Sequence, residues 1–185
     1  MNAAALVREI EEKSQQLIAD MTVEFKTNLG TSHYRRLSEE DIFQRVSIVY
    51  RHLTEWLISR NESVLKTEGE ALGKKRFAEG VPLGQVVLAL ILNEKHLWNL
   101  PGVSPEKVDR DVRGTVTEFF QRHIYYTAKG YEVALAESNR LARRAAVTQP
   151  AAEAPALKPP PQKAPAKGES DMEISRGGQV GEFGG

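Results

Sequence analysis

The 185-residue chain contains no cysteine. That excludes disulfides and thiolate metal sites, and it fits a reducing compartment. Net charge is absent too: 25 Lys and Arg balance 25 Asp and Glu. No field draws nucleic acid or an anionic membrane as the main partner. Long apolar runs are also missing. The longest, Val86 to Leu92, has seven residues, against the roughly 20 that a bilayer span requires. No membrane insertion is expected. AAALV at residues 3–7 is too short for a signal-peptide core, and Arg8, Glu9, Glu11 and Glu12 follow at once. A cytoplasmic protein is expected.

Proline and the aromatics divide the chain. Residues 1–147 hold three prolines and twelve of the thirteen aromatics, whereas residues 148–185 hold six prolines and only Phe183. The first part can bury roughly 70% of its unfolded surface, enough for one stable domain. From Thr148 the chain turns to PAAEAPALKPPPQKAPAKGES, which cannot offset its ordering entropy by burial and is expected to be disordered. No P-x-x-P pattern accompanies it. In the last stretch, DMEISRGGQVGEFGG, the residues Met172, Ile174, Val180 and Phe183 offer a short motif that a partner could order, set against a passive solvated end.

No β pattern of useful length occurs, and what remains is helical periodicity. Leu6, Ile10, Leu17, Met21 and Phe25 predict a first helix over about 3–28. Ser38, followed by Glu39, Glu40 and Asp41, is an N-cap with acids at the positive end of the dipole. Leu37 and Ile42 have staple spacing across it. Ile42, Val46, Val49, Leu53 and Trp56 then recur in steps of four and three, a bundle seam. Asn61 caps a third helix that ends at Gly80, a residue free to take the left-handed conformation. Pro82 starts a fourth helix over about 83–99, buried on most sides. Ser104-Pro105-Glu106 predicts the start of a last helix reaching about residue 146, roughly 63 Å long. Such a helix must bend or project beyond the bundle. Val112, Val116, Phe119, His123 and Tyr126 give it a core stripe; its Ala-rich second half suits a projecting arm or a dimer seam. The expected fold is an all-α antiparallel bundle of about five helices with a long C-terminal helix.

The chemistry-bearing residues are few. A di-iron bundle needs inward Glu-x-x-His pairs, and none of His33, His52, His96 and His123 has that Glu. His52 with Glu55 gives the reverse order once. His123 lies on an apolar stripe and reads as a core histidine; His33 is in a loop. A phosphotransfer histidine would have to be exposed with Lys and Gly nearby, and HIYYTAKG, from His123, places Lys129 too far along. HLTEW, from His52, lacks the His-Glu pair and proline of kinase dimerisation helices. GEALG, Gly69 to Gly73, puts two glycines one turn apart, as close approach of a neighbouring helix requires. Lys74, Lys75 and Arg76 suit the negative end of the third helix, or an anionic ligand; Arg140, Arg143 and Arg144 read likewise. Trp56 and Trp98 are expected to anchor the core, or Trp98, beside His96 near a helix end, to line a pocket mouth. His96, Trp98 and His123 are the candidate pocket for a small molecule or metal. No catalytic, cofactor or metal set is expected.

One segment carries more than local structure. Gly73, Arg76, Phe77, Glu79, Gly80, Pro82, Leu83, Val86, Val87, Leu90, Leu97 and Trp98 follow a pattern that resembles the N-terminal domain of RsbT co-antagonist proteins of the RsbRD type. The resemblance covers about residues 5–140. Gln85 stands where an acid is expected. Family membership implies an all-helical sensory domain in bacterial signalling and stress response, without catalysis, acting through protein partners. In the family such a domain usually feeds an effector module; here only the tail follows. The expected partners are therefore a separate signalling protein or a second copy, paired through the last helix.

Overall fold

The structure, a computed structural model, describes residues 1–148. The tail expected over 148–185, with its motif at Met172–Phe183, lies outside the described residues beyond Thr148. The described residues contain six α-helices and no strand: α1 (Ala3–Glu12), α2 (Ser14–Thr27), α3 (Glu39–Ser59), α4 (Glu62–Ala78), α5 (Leu83–Trp98) and α6 (Arg110–Thr148). The all-α bundle with a long last helix is as expected. The sixth helix arises because the first divides at Lys13, whose backbone leaves the helical region (φ −107°, ψ 13°). Its ammonium is held by the Glu9 carboxylate and the Pro101 carbonyl, so the kink is pinned to the α5–α6 connection. Leu6 and Ile10 on one side of the kink, and Leu17, Met21 and Phe25 on the other, all reach the core.

The capping signals act as their chemistry demands. Ser38 Oγ accepts the Asp41 N–H at 3.0 Å, and its hydroxyl donates to the Asp41 carboxylate at 2.6 Å. All five residues of the α3 seam are buried. Asn61 Oδ1 accepts the Val64 N–H at the start of α4. At its end, the Gly80 N–H bonds to the Phe77 carbonyl and the Val81 N–H to the Arg76 carbonyl, with Gly80 at φ +71°. This is the paired closure of a Schellman cap, and it turns Val81 into the core. Pro82 precedes α5, whose exposed residues are confined to a stripe of Gly84, Ile91 and Lys95, the rest being buried or half-buried. Two short 3-10 turns, Leu29–Thr31 and Tyr34–Arg36, link α2 to α3. Gln85 fastens them to α5: its Oε1 accepts the His33 N–H and its Nε2 donates to Ser32 Oγ.

The last helix starts later than the Ser104-Pro105-Glu106 signal predicts. Ser104 to Lys107 close a turn instead, Lys107 N–H to Ser104 O at 3.0 Å. Val108 is then drawn into the core, and Asp109 gives its N–H to the Met1 carbonyl. A backbone committed to those contacts cannot be helical, so α6 begins at Arg110, with the Arg113 N–H on the Asp109 carbonyl. Its 39 residues extend roughly 58 Å.

Helix α4 packs chiefly on α6. The two run in the same sense: Glu62 meets Arg122 and Tyr126, while Phe77 meets Tyr131 edge-on at 5.3 Å. Glycines bring the backbones together. A Cβ on Gly73 would fall 2.0 Å from the Thr127 carbonyl oxygen, and one on Gly130 would fall 2.1 Å from the Glu70 carbonyl oxygen. Gly69 faces Tyr126 in the same seam. The glycine pair in GEALG is thus an interhelical contact. Arg76 is not the exposed cation its position in a basic run suggests. It is buried and bonds to Glu79 at 2.7 Å, and Arg45 of α3 reaches the same carboxylate oxygen at 3.0 Å. Burial alone would raise the Glu79 carboxyl; Arg76 and Arg45 outweigh it and hold the group below the usual range. Arg45 also lies over the Tyr34 ring, which stacks on Phe25. Gly73, Arg76, Phe77, Gly80, Pro82 and Leu83 therefore sit where α4 is closed, turned and locked to its neighbours.

Beyond Tyr131, α6 leaves the bundle. Every residue from Leu135 to Ala146 is exposed, Leu135 and Leu141 included. Of the two outcomes open to a helix of this length, projection is the one realised. No described helix is long and apolar enough to cross a membrane.

Candidate functional site

The three residues of the sequence-derived pocket fall in different settings. His96, on α5, turns toward α2, where its Nε2 lies 3.3 Å from Glu24 Oε2. That carboxylate also accepts from Asn28 at 2.7 Å and faces Lys95 at 3.7 Å. The Asn28 hydrogen bond, then His96 and Lys95, lower the Glu24 carboxyl against its partial burial. Trp98 lies one turn beyond Glu94, whose carboxyl is raised by burial and accepts from Thr117. His123 lies on α6 against α3 and α4, apart from both.

There the structure builds something the sequence did not assemble. His52 and Trp56 are one turn apart on α3, both turned inward. His123 follows Phe119 by one turn on α6 and is fully buried. The two imidazoles approach to 6.0 Å between centroids, and Phe119 meets His123 edge-on at 5.2 Å. Gly69 of α4 lies against the same turn of α6: an added Cβ would fall 2.8 Å from the Tyr126 Cβ, with His123 Cδ2 at an ordinary 3.6 Å. Neither nitrogen of His123 has a hydrogen-bond partner among the described residues, nor do His52 Nδ1, Trp56 Nε1 and Thr127 Oγ1. Buried polar groups are normally paired, so a cluster of this kind marks a strained or functional region. Burial, with a smaller contribution from His52, pushes the His123 imidazole down to about 3. Burial also lowers His52, against the pull of Glu68. Both are neutral at pH 7, and the 3.9 Å from His52 Nε2 to Glu68 Oε2 is too long for a hydrogen bond.

His52 joins this interior to the surface. It forms part of the floor of a groove of about 320 Å³ between α3 and α4. Trp56, Ile58, Val64 and Leu65 supply apolar walls, and the half-exposed Glu55 and Glu68 stand at the rim. Arg60 and Arg122 lie over the Trp56 ring, 5.9 and 6.0 Å from its centroid. Those guanidiniums are neutralised by Glu118 and Glu62. Among the described residues no group of three His, Cys, Asp or Glu is placed to hold a metal ion.

The sequence did carry a trace of this site. His52 falls beside Leu53 of the α3 seam, and His123 falls within the α6 stripe. Two histidines on core-facing stripes of different helices are candidates to meet. Glu68 had no signal, because its place depends on how α4 is rotated by its glycine contacts with α6. Comparison of the chain with protein-family models, with curated proteins and with solved structures finds no match.

Proposed function

We propose that the chain is a non-enzymatic signalling module of the RsbRD type, working in bacterial stress signalling in the cytoplasm through contact with another protein. The observation that carries this reading is the α6 arm. From Leu135 to Ala146 it is a helix with no bundle beneath it. An isolated helix of about 12–15 residues is marginal in water, so tertiary packing normally supplies its stability. A partner helix meets that need, and the first candidate is the same arm of a second copy. Signal would enter at the bundle and leave through α6. The test compares the chain ending at Thr148 with one ending at Ala134, by light scattering and by quantitative affinity capture. The longer chain is expected to pair with itself, or to retain a protein that the shorter one releases. Two monomers with identical captured sets would overturn the reading.

A second reading, a ligand-sensing bundle, is favoured by the α3–α4 groove. Its floor residue His52 touches His123 of α6, so an occupant of the groove would be felt by the helix that forms the arm.

A further inference from the structure

We propose that the α3–α4 groove binds a small organic amine: a single apolar ring or chain carrying an ammonium group and one hydroxyl or carbonyl oxygen. The inference rests on the second reading above, and it adds the chemical class. Three features of the groove converge on it. Its volume, about 320 Å³, lies at the small end of ligand sites, which begin near about 300 Å³. Two side chains more than nine-tenths buried, His52 and Trp56, line it, and His52 Nε2, 3.9 Å from the rim carboxylate of Glu68, makes no hydrogen bond among the described residues. Trp56 offers the groove its ring, with Nε1 closed to solvent, so the polar contact falls to His52 Nε2, which a ligand oxygen can meet. His52 is neutral and offers one donor and one acceptor.

Charge then selects the other end. Glu55 and Glu68 are part of the lining, and the described lining contains no Lys or Arg. Arg51 approaches Glu55 only to 3.9 Å, with both side chains more than half exposed, so it neutralises that rim weakly. Arg60 and Arg122, over the Trp56 ring, are matched by Glu118 and Glu62. Glu68 faces His52, and that imidazole is uncharged at pH 7. The residual field at the mouth is negative. An ammonium at the rim, an apolar body on Trp56, Leu65 and Val64, and an oxygen toward His52 fit this lining; an anion would meet two carboxylates.

Three probes share one body and differ in charge: tyramine (cation), tyrosol (neutral) and 4-hydroxyphenylacetate (anion). Each is titrated to millimolar concentration into the intact protein while the two indole N–H resonances are followed by NMR, with Trp98→Phe assigning the Trp56 signal. Tyramine is expected to shift the Trp56 indole saturably, tyrosol to bind about tenfold more weakly, and the anion to leave it unmoved. Glu68→Gln, with Glu55→Gln as a second variant, should bring tyramine down to the tyrosol level and leave tyrosol unchanged. Equal shifts from all three probes would overturn the amine class while leaving a ligand groove. A Trp56 signal silent to all three would overturn the groove as a site, and neither result touches the arm, which the chain-length comparison tests separately.

Discussion

His123 offers a test in which stability should respond to pH and to one side chain together. Its imidazole is fully buried with both nitrogens unpartnered among the described residues, and its pKa is pushed down from 6.5 to about 3. In the unfolded chain it protonates near about 6.5. Between those values the unfolded state binds the proton and the folded state does not, so stability rises with pH across that window. The contribution is complete above about pH 6.5 and is lost as pH falls toward about 3. At pH 5 the linkage relation gives a loss of about 2 kcal/mol from this residue alone. His52, also lowered by burial, acts with the same sign. His123→Leu keeps the volume, removes the titration and removes two unpaired polar atoms, which otherwise cost about 1–3 kcal/mol. The expected result is a variant no less stable than the parent at pH 7.5 and clearly more stable at pH 5, measured by urea unfolding at each pH. Equal losses in parent and variant between the two pH values would refute the reasoning, because they would place the acid sensitivity elsewhere.

Other perturbations follow from the packing. Gly130→Ala should cost about 3 kcal/mol, since its Cβ meets the Glu70 carbonyl. Gly114→Ala on the same helix has open space and should gain about 0.5–1 kcal/mol; thermal melts of the pair must move in opposite directions. Glu79→Gln leaves Arg45 and Arg76 without their shared carboxylate and should cost about 2 kcal/mol by urea unfolding; an unchanged midpoint would mean the guanidiniums find other partners. A Cβ on Gly80 meets no atom, but Gly80→Val must adopt φ +71°, so a loss of about 1–2 kcal/mol is expected from backbone strain; an unaltered melting temperature would remove the cap from the account.

Local chemistry was legible from the chain where it acts on neighbours a few residues apart. Ser38, Asn61 and Gly80 end or begin helices because each satisfies a backbone group within its own turn. The α3 seam was legible because five apolar residues at helical spacing have one consistent solution. The start of α6 was misread for a physical reason: Ser104-Pro105-Glu106 fits a helix start, but Val108 gains more by burial, and Met1, over a hundred residues away in sequence, takes the Asp109 N–H. The kink at Lys13 is likewise set by a distant carbonyl, that of Pro101. The candidate site shows the same limit. His123 was read as a core residue, and it is one. Its neighbour His52 becomes visible only when α3 and α6 are placed, and the grouping of His123 with His96 and Trp98 failed because α5 turns His96 toward Glu24 on α2.

The central claim is that the exposed end of α6 is the element through which the module acts. Light scattering on the chain ending at Thr148 and on the chain ending at Ala134 tests it most directly, with thermal melts of both as the control. The account predicts a dimer for the first, a monomer for the second and the same bundle stability in each, because residues 135–146 contribute no burial to the bundle. A dimer that survives the loss of the arm, or a bundle that unfolds without it, would contradict the claim.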